Sequence, residues 1–164
     1  MEPPKRADKR KLTHVDRAGR PRMVDVSAKP LTARRAVAEA EVTMEQATIS
    51  LIVDGGGAKG DVMTVAEIAG VMGAKRTAEL IPLCHPIPLT DLVVEVRPDR
   101  GRGAMIIRAT AATVAPTGVE MEALVAASVA ALTVYDMVKG VDRGATIRFV
   151  RVVEKSGGRS GDWR

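Results

Sequence analysis

Cys84 and His85 sit inside the stretch Ile81-Pro82-Leu83-Cys84-His85-Pro86-Ile87-Pro88-Leu89, and they are the only cysteine and one of the two histidines in the chain. The prolines remove backbone donors and disfavour helix, so this segment is expected to run extended. A stiff segment that carries an imidazole among apolar neighbours suits the wall of a binding pocket. It reads equally well as a plain connection between a helix and an edge strand, with a solvated histidine. Neighbouring side chains of an extended segment point to opposite faces, which makes Cys84 and His85 a poor nucleophile–base dyad. His14 lies far off in a basic tail, so no zinc-ligand spacing exists and no metal site is expected.

Two further groups could handle phosphate or protons. Asp54-Gly55-Gly56-Gly57-Ala58-Lys59-Gly60-Asp61 resembles a phosphate loop at first sight. The residue after Lys59 is glycine and the next is Asp61, so the hydroxyl that such a loop gives to magnesium is missing. A lysine on a glycine-rich loop before a helix can still meet phosphate, or the loop can be merely solvated. Glu120, Glu122, Asp136 and Lys139 fall on one long helical pattern. Asp136 and Lys139 are three apart and share a face. Glu122 and Asp136 are separated by nearly four turns, roughly 20 Å, too far to act as a pair on one bond within a subunit. Each could serve a different ligand group or a different subunit, and an exposed ion pair explains Asp136 and Lys139 as simply.

Positioning these groups falls to six elements. Residues 35–44 alternate, with Ala36, Ala38, Ala40, Val42 and Met44 on one side and Arg35, Glu39, Glu41 and Thr43 on the other. Asp61 is placed to cap a helix whose face carries Val62, Val65, Ala66, Ala69, Met72 and Gly73, reaching to about Glu79. Leu92–Val96 and Ala104–Val114 alternate around Pro98-Asp99-Arg100-Gly101, which reads as a hairpin. The pattern from Val119 to Lys139 predicts a long helix with Met121, Leu124, Val125, Val129, Leu132 and Met137 as its apolar stripe and Gly140 as its cap. Residues 145–154 alternate as a last strand. The order predicts an α+β chain, a ferredoxin-like βαββαβ plait: a four-stranded antiparallel sheet with two helices on one face. Valines and alanines on both sides of several strands suggest that another subunit covers the second face.

Charge is distributed unevenly. Lys5, Arg6, Lys9, Arg10, Lys11, Arg17, Arg20 and Arg22 stand against Glu2, Asp8 and Asp16, which accounts for the whole formal charge of +5. The rest of the chain is balanced and nearly free of aromatics, which argues against a nucleic-acid face. The organisation read from this is a basic, flexible segment over 1–22, a single catalytic domain over 23–155 and a glycine-rich tail over 156–164. One cysteine forms no intrachain disulfide. The N-terminus lacks the apolar run of a secretory signal, and Ala123–Tyr135 is too short to span a bilayer, so a cytoplasmic protein without membrane contact is expected.

Several segments together are more specific than any of them singly: Met23-Val24-Asp25-Val26-Ser27-Ala28-Lys29, Lys59-Gly60-Asp61-Val62, Leu80–Pro86, Thr117–Leu124, Ala131–Met137 and Lys155-Ser156-Gly157-Gly158. In this order they resemble the cyclic pyranopterin monophosphate synthase family of molybdenum cofactor biosynthesis, over residues 12–162. The resemblance implies conversion of 3′,8-cyclo-7,8-dihydro-GTP to cyclic pyranopterin monophosphate with release of pyrophosphate, a lyase reaction. It implies Asp136 as acid/base with Lys59 and Lys139 at the reacting centre. Leu83, Cys84 and His85 would line the substrate pocket, opposite Met121 and Glu122, with Glu120 and Lys155 also among the substrate-binding residues. Its loop Gly55-Gly56-Gly57-Ala58 departs from the family's bulkier versions. No resident cofactor is implied, though Mg2+ could accompany the triphosphate. The implied assembly is a homohexamer, a trimer of dimers with sites at the dimer interface. The rival from another class is a non-catalytic nucleotide-binding regulatory plait, which would need the lysines but not Asp136.

Overall fold

Small apolar residues alternating with charged ones make β1 (Thr32–Thr43) the middle of a sheet with two different faces. Its Ala36, Ala38, Ala40 and Val42 are fully buried in the core, while Glu39 and Glu41 lie on the other side. The computed structural model describes residues 14–16, 18–55, 60–158 and 161–164. The expected looseness of the chain up to Lys11 and the position of Lys59 lie outside the described residues. β2 (Leu89–Asp99), β3 (Ala104–Ala115) and β4 (Thr146–Ser156) complete an antiparallel sheet in the order β2-β3-β1-β4. This is the order of the ferredoxin-like plait. α2 (Val62–Ala74) and α4 (Glu120–Val138) pack on one face.

Two helices were not foreseen. α1 (Gln46–Val53) buries Thr48, Ile49 and Ile52. It is held by Asp142, whose carboxylate accepts hydrogen bonds from Glu45 N–H at 2.8 Å, Thr48 Oγ1 at 3.1 Å and Gly144 N–H at 2.9 Å. α3 (Thr77–Leu80) is a single turn split from α2. The helix expected to run on to Glu79 therefore ends at Ala74.

Both long helices bury small residues that the expected stripes passed over. α2 buries Val62, Ala66, Gly70, Gly73 and Ala74, leaving Val65 and Met72 exposed. α4 buries Ala123, Ala126, Ala127, Ala130, Ala131 and Val134, while Leu132 is 57% exposed. Small residues let the helices and sheet approach closely. A Cβ on Gly73 would lie 2.7 Å from Val129 Cγ2, and one on Gly70 would lie 3.0 Å from the Ala126 carbonyl. α4 ends at Lys139 in ordinary right-handed geometry, so Gly140 is not the left-handed cap it was expected to be. Although α4 is long and apolar enough by length and composition to cross a membrane, its alanine face is the centre of the core.

The open sheet face is mixed, with Val93 and Val114 exposed beside charged side chains. Strand register aligns Glu95, Arg108, Glu39 and Arg151 in a row of alternating charge across all four strands. Glu39 pairs with Arg108 at 2.5 Å and with Arg151 at 4.0 Å. β4 contributes Phe149 to this face beneath Arg151, whose guanidinium lies 4.7 Å from the ring centroid. The register shifts between Glu41 and Val42, and Ile147 packs into the core. That bulge breaks the alternation that would have set Ile147 and Phe149 on one side.

Candidate active site

The proline segment is shaped by its two ends. Thr77 Oγ1 donates to the Ala74 carbonyl at 2.9 Å and starts α3, and at the far end Thr113 Oγ1 on β3 donates to the Pro88 carbonyl. Between them Cys84 N–H donates to the Ile81 carbonyl at 3.0 Å. The first residues thus turn instead of running extended. The turn brings Leu83, Cys84 and His85 to the lining of a single cavity of about 260 Å³.

The opposite wall is the entry to α4. Arg34 on β1 donates through Nε to the Ala115 carbonyl at 3.0 Å and through Nη2 to the Pro116 carbonyl at 3.3 Å. This fixes the loop that brings Thr117, Gly118, Glu120, Met121 and Glu122 to the cavity. A Cβ on Gly118 would fall on the Glu120 carboxylate, so a side chain there would push that carboxylate aside. Glu120 is kept on Lys155 Nζ at 2.8 Å, which joins the end of β4 to the site.

The two glutamates are driven apart. Burial raises the Glu122 carboxyl above its ordinary value, and the nearby Glu120 charge adds to this; Glu122 is only 5% exposed. Burial also opposes ionisation of Glu120, but the Lys155 hydrogen bond and charge outweigh it and hold that carboxyl below its usual value. The two carboxyls are thus displaced in opposite directions, Glu120 toward its ionised form and Glu122 toward its protonated one, a pairing suited to acid–base work. Burial and the Glu122 charge raise the Cys84 thiol, so it is not a ready nucleophile. The His85 ring directs Nε2 at the Val24 carbonyl, 2.8 Å away. His14, read from the sequence as part of a tail, also lines the cavity. It arrives on a hairpin in which Val15 bridges Pro21 and Arg22 N–H donates to the His14 carbonyl at 2.9 Å.

Asp136 and Lys139 are not in this cavity. They form an ion pair at 2.6 Å near the far end of α4, both side chains more than half exposed. Asp136 strengthens the proton affinity of the Lys139 amine, first by its hydrogen bond and then by its charge. Fourteen residues of helix put Asp136 about 21 Å from Glu122. α2 runs antiparallel to α4, since Ala74 and Thr77 meet Glu122 while Gly70 meets Ala126 and Ala130. The capped start of α2 thus points to the Asp136 end. There Asp61 accepts from Met63 N–H at 3.0 Å and Thr64 N–H at 3.3 Å, as the sequence predicted. Among the described residues no cluster of histidine, cysteine and carboxylate side chains could hold a metal ion.

One chain thus presents two groups of candidate residues at opposite ends of its helical layer. A sequence model of the MoaC family matches residues 23–158, which include every described candidate in both groups. The chain belongs to the MoaC family. It is 58% identical over 153 residues to a cyclic pyranopterin monophosphate synthase of Thermomicrobium roseum, covering 93% of this chain and 92% of that one. It is 56% identical over the same length to the enzyme of that name from Brucella ovis, covering 93% of each. In this MoaC-family chain the resemblance named most of the cavity's residues in advance. Its unnamed members are His14, Thr117 and Gly118; His14 lies within the resembling stretch, which begins at Leu12, but its basic surroundings made it read as tail.

Proposed function

We propose that this chain is a cyclic pyranopterin monophosphate synthase of molybdenum cofactor biosynthesis, acting on 3′,8-cyclo-7,8-dihydro-GTP and releasing pyrophosphate. The reading is supported by relatives of that name that match nearly the whole chain at more than half identity. The observation that carries the site assignment is the division of the candidate residues into two ends. The cavity of Leu83, Cys84, His85, Met121 and Glu122, about 260 Å³, is below the ~300–1,000 Å³ usual for a whole ligand. It suits a flat heterocycle but leaves a triphosphate unaccommodated.

Closing a cyclic phosphate with loss of pyrophosphate requires an internal hydroxyl to attack the α-phosphorus. The bond to the bridging oxygen breaks, pyrophosphate leaves, and the hydroxyl proton passes to a base. Asp136 is the candidate base, and Lys59 and Lys139 are the candidate cations for the phosphates and partners in proton transfer. Lys155, already held by Glu120, supplies positive charge at the heterocycle end. With both ends belonging to one reaction, the chain functions as an oligomer whose sites are shared between subunits, a homohexamer of three dimers. We class the enzyme as a phosphorus–oxygen lyase working in the cytoplasm, without a resident cofactor and with Mg2+ accompanying the triphosphate if at all.

The direct test is single-turnover conversion of the cyclised GTP intermediate by purified full-length protein, following cyclic pyranopterin monophosphate and pyrophosphate together. Stoichiometric formation of both supports the reading. Tight binding of the intermediate with neither product formed would assign the chain to nucleotide sensing instead.

A further inference from the structure

His85 lines the cavity, yet one of its ring nitrogens is already engaged outside it. Nε2 lies 2.8 Å from the carbonyl oxygen of Val24. A carbonyl can only accept, so the nitrogen facing it must carry a proton. In a neutral imidazole the other nitrogen is then a bare acceptor. The carboxylate next to that carbonyl in sequence, Asp25, interacts with the His85 ring through charge. Its Oδ1 accepts from Ser27 N–H at 2.9 Å and Ser27 Oγ at 2.7 Å.

Val24 is part of the strap that runs from the His14–Arg22 hairpin to β1. The hairpin is closed by its own bonds: Asp16 N–H donates to the Arg20 carbonyl at 2.9 Å, and Asp16 Oδ1 accepts from Ala18 and Arg20 N–H at 2.8 and 2.9 Å. It brings His14 to the same cavity that His85 lines. The contact at Val24 thus connects strap to pocket and determines which way the imidazole is protonated.

We infer that the Val24 carbonyl is a positioning group that holds His85 as the Nε2–H tautomer, so that Nδ1 is the nitrogen offered to a substrate as hydrogen-bond acceptor. His85 then selects for an N–H or O–H on the ligand, and it rejects a bare carbonyl at that point. The selectivity rests on the cavity being the substrate pocket, whereas the tautomer is a property of the unliganded chain.

Because the chain has only two histidines, His14→Asn leaves His85 as the sole imidazole signal. Two-bond proton–nitrogen correlation spectra of ¹⁵N-labelled full-length protein, taken where the ring is neutral, read the tautomer directly. The expected spectrum has a protonated Nε2 and a bare Nδ1. A protonated Nδ1, or two averaged nitrogens, would overturn the inference. A second measurement reads the fastening. His85→Gln carries an N–H at a reach close to Nε2, whereas His85→Asn is too short. Trypsin cleavage after Arg22 should be several-fold faster than in the parent for His85→Asn and near the parent rate for His85→Gln. Parent-like cleavage of both variants would contradict a strap held by His85. If the tautomer is as expected but His85→Ala converts the cyclised intermediate normally, the pocket reading fails and the tautomer assignment stands.

Discussion

Glu120 and Glu122 stand two residues apart at the start of α4, and their surroundings displace their carboxyls in opposite directions. Glu122 has its value raised by burial, so its ionised form weakens the fold. For a group whose folded value lies above its unfolded one, stability falls as pH rises from the unfolded value through the folded one. Glu122→Gln should therefore melt above the parent at pH 8, with the gap narrowing as pH is lowered toward 4.5, the ordinary glutamate value. Thermal unfolding across that range checks this, and a gap independent of pH would mean that Glu122 is ionised without penalty. At the other end of the helix, Asp136→Asn keeps size but removes a titrating group from Lys139. Single-turnover conversion should fall by about two to four powers of ten, the usual worth of a positioned acid or base. Affinity for the intermediate, measured by titration, should hardly change. Near-normal conversion would reduce Asp136 to an exposed helix anion. These residues were legible in the sequence because their motifs are long, and His14 was not, because nothing local marks a pocket histidine in a basic segment.

The elements that hold the residues were read unevenly. β1 and β3 were clear, since in each strand alternate residues are the small or apolar side chains that face the core. α4 was placed correctly, with Val125 of its expected stripe buried and Leu124 and Met137 packed on the core, but alanines fill the centre of the buried face and Leu132 is turned out. Close approach, not side-chain size, decides which face is inside here. α1 was missed because its hold on the fold comes from Asp142, nearly a hundred residues away. Asp142 is 3% exposed, and its carboxylate is held below its ordinary value first by the Glu45 N–H. Asp142→Ala strands the partner groups at Glu45, Thr48 and Gly144 and should cost about 1–3 kcal/mol or more. Denaturant unfolding measures it, and a loss within error would show that water replaces the carboxylate freely. Gly73→Ala tests the packing of α2 on α4. Alanine gains up to about 1 kcal/mol of helix propensity, but the overpacking against Val129 costs about 1–3 kcal/mol. A lower melting temperature is expected, and a higher one would mean that the two helices separate easily.

At the scale of the whole molecule, the sheet's open face carries a row of paired charges beside exposed valines, and the candidate residues lie at two ends about 21 Å apart along one helix. Val93 and Val114, exposed on that face, are one reason to expect a partner. The division of the proposed site is the stronger one, since on that proposal a single chain holds the heterocycle's cavity at one end and the acid/base pair for the phosphates at the other. If two subunits supply one end each, two defective chains can repair each other. In a mixed dimer of His85→Ala and Asp136→Asn, one site carries both lesions and the other carries none. Each variant alone should be nearly inactive in conversion of the cyclised intermediate. After the two are co-expressed, or unfolded and refolded together in equal amounts, random pairing should restore about a quarter of the parent activity. No recovery in oligomers shown by mass to contain both chains would contradict a site shared between subunits.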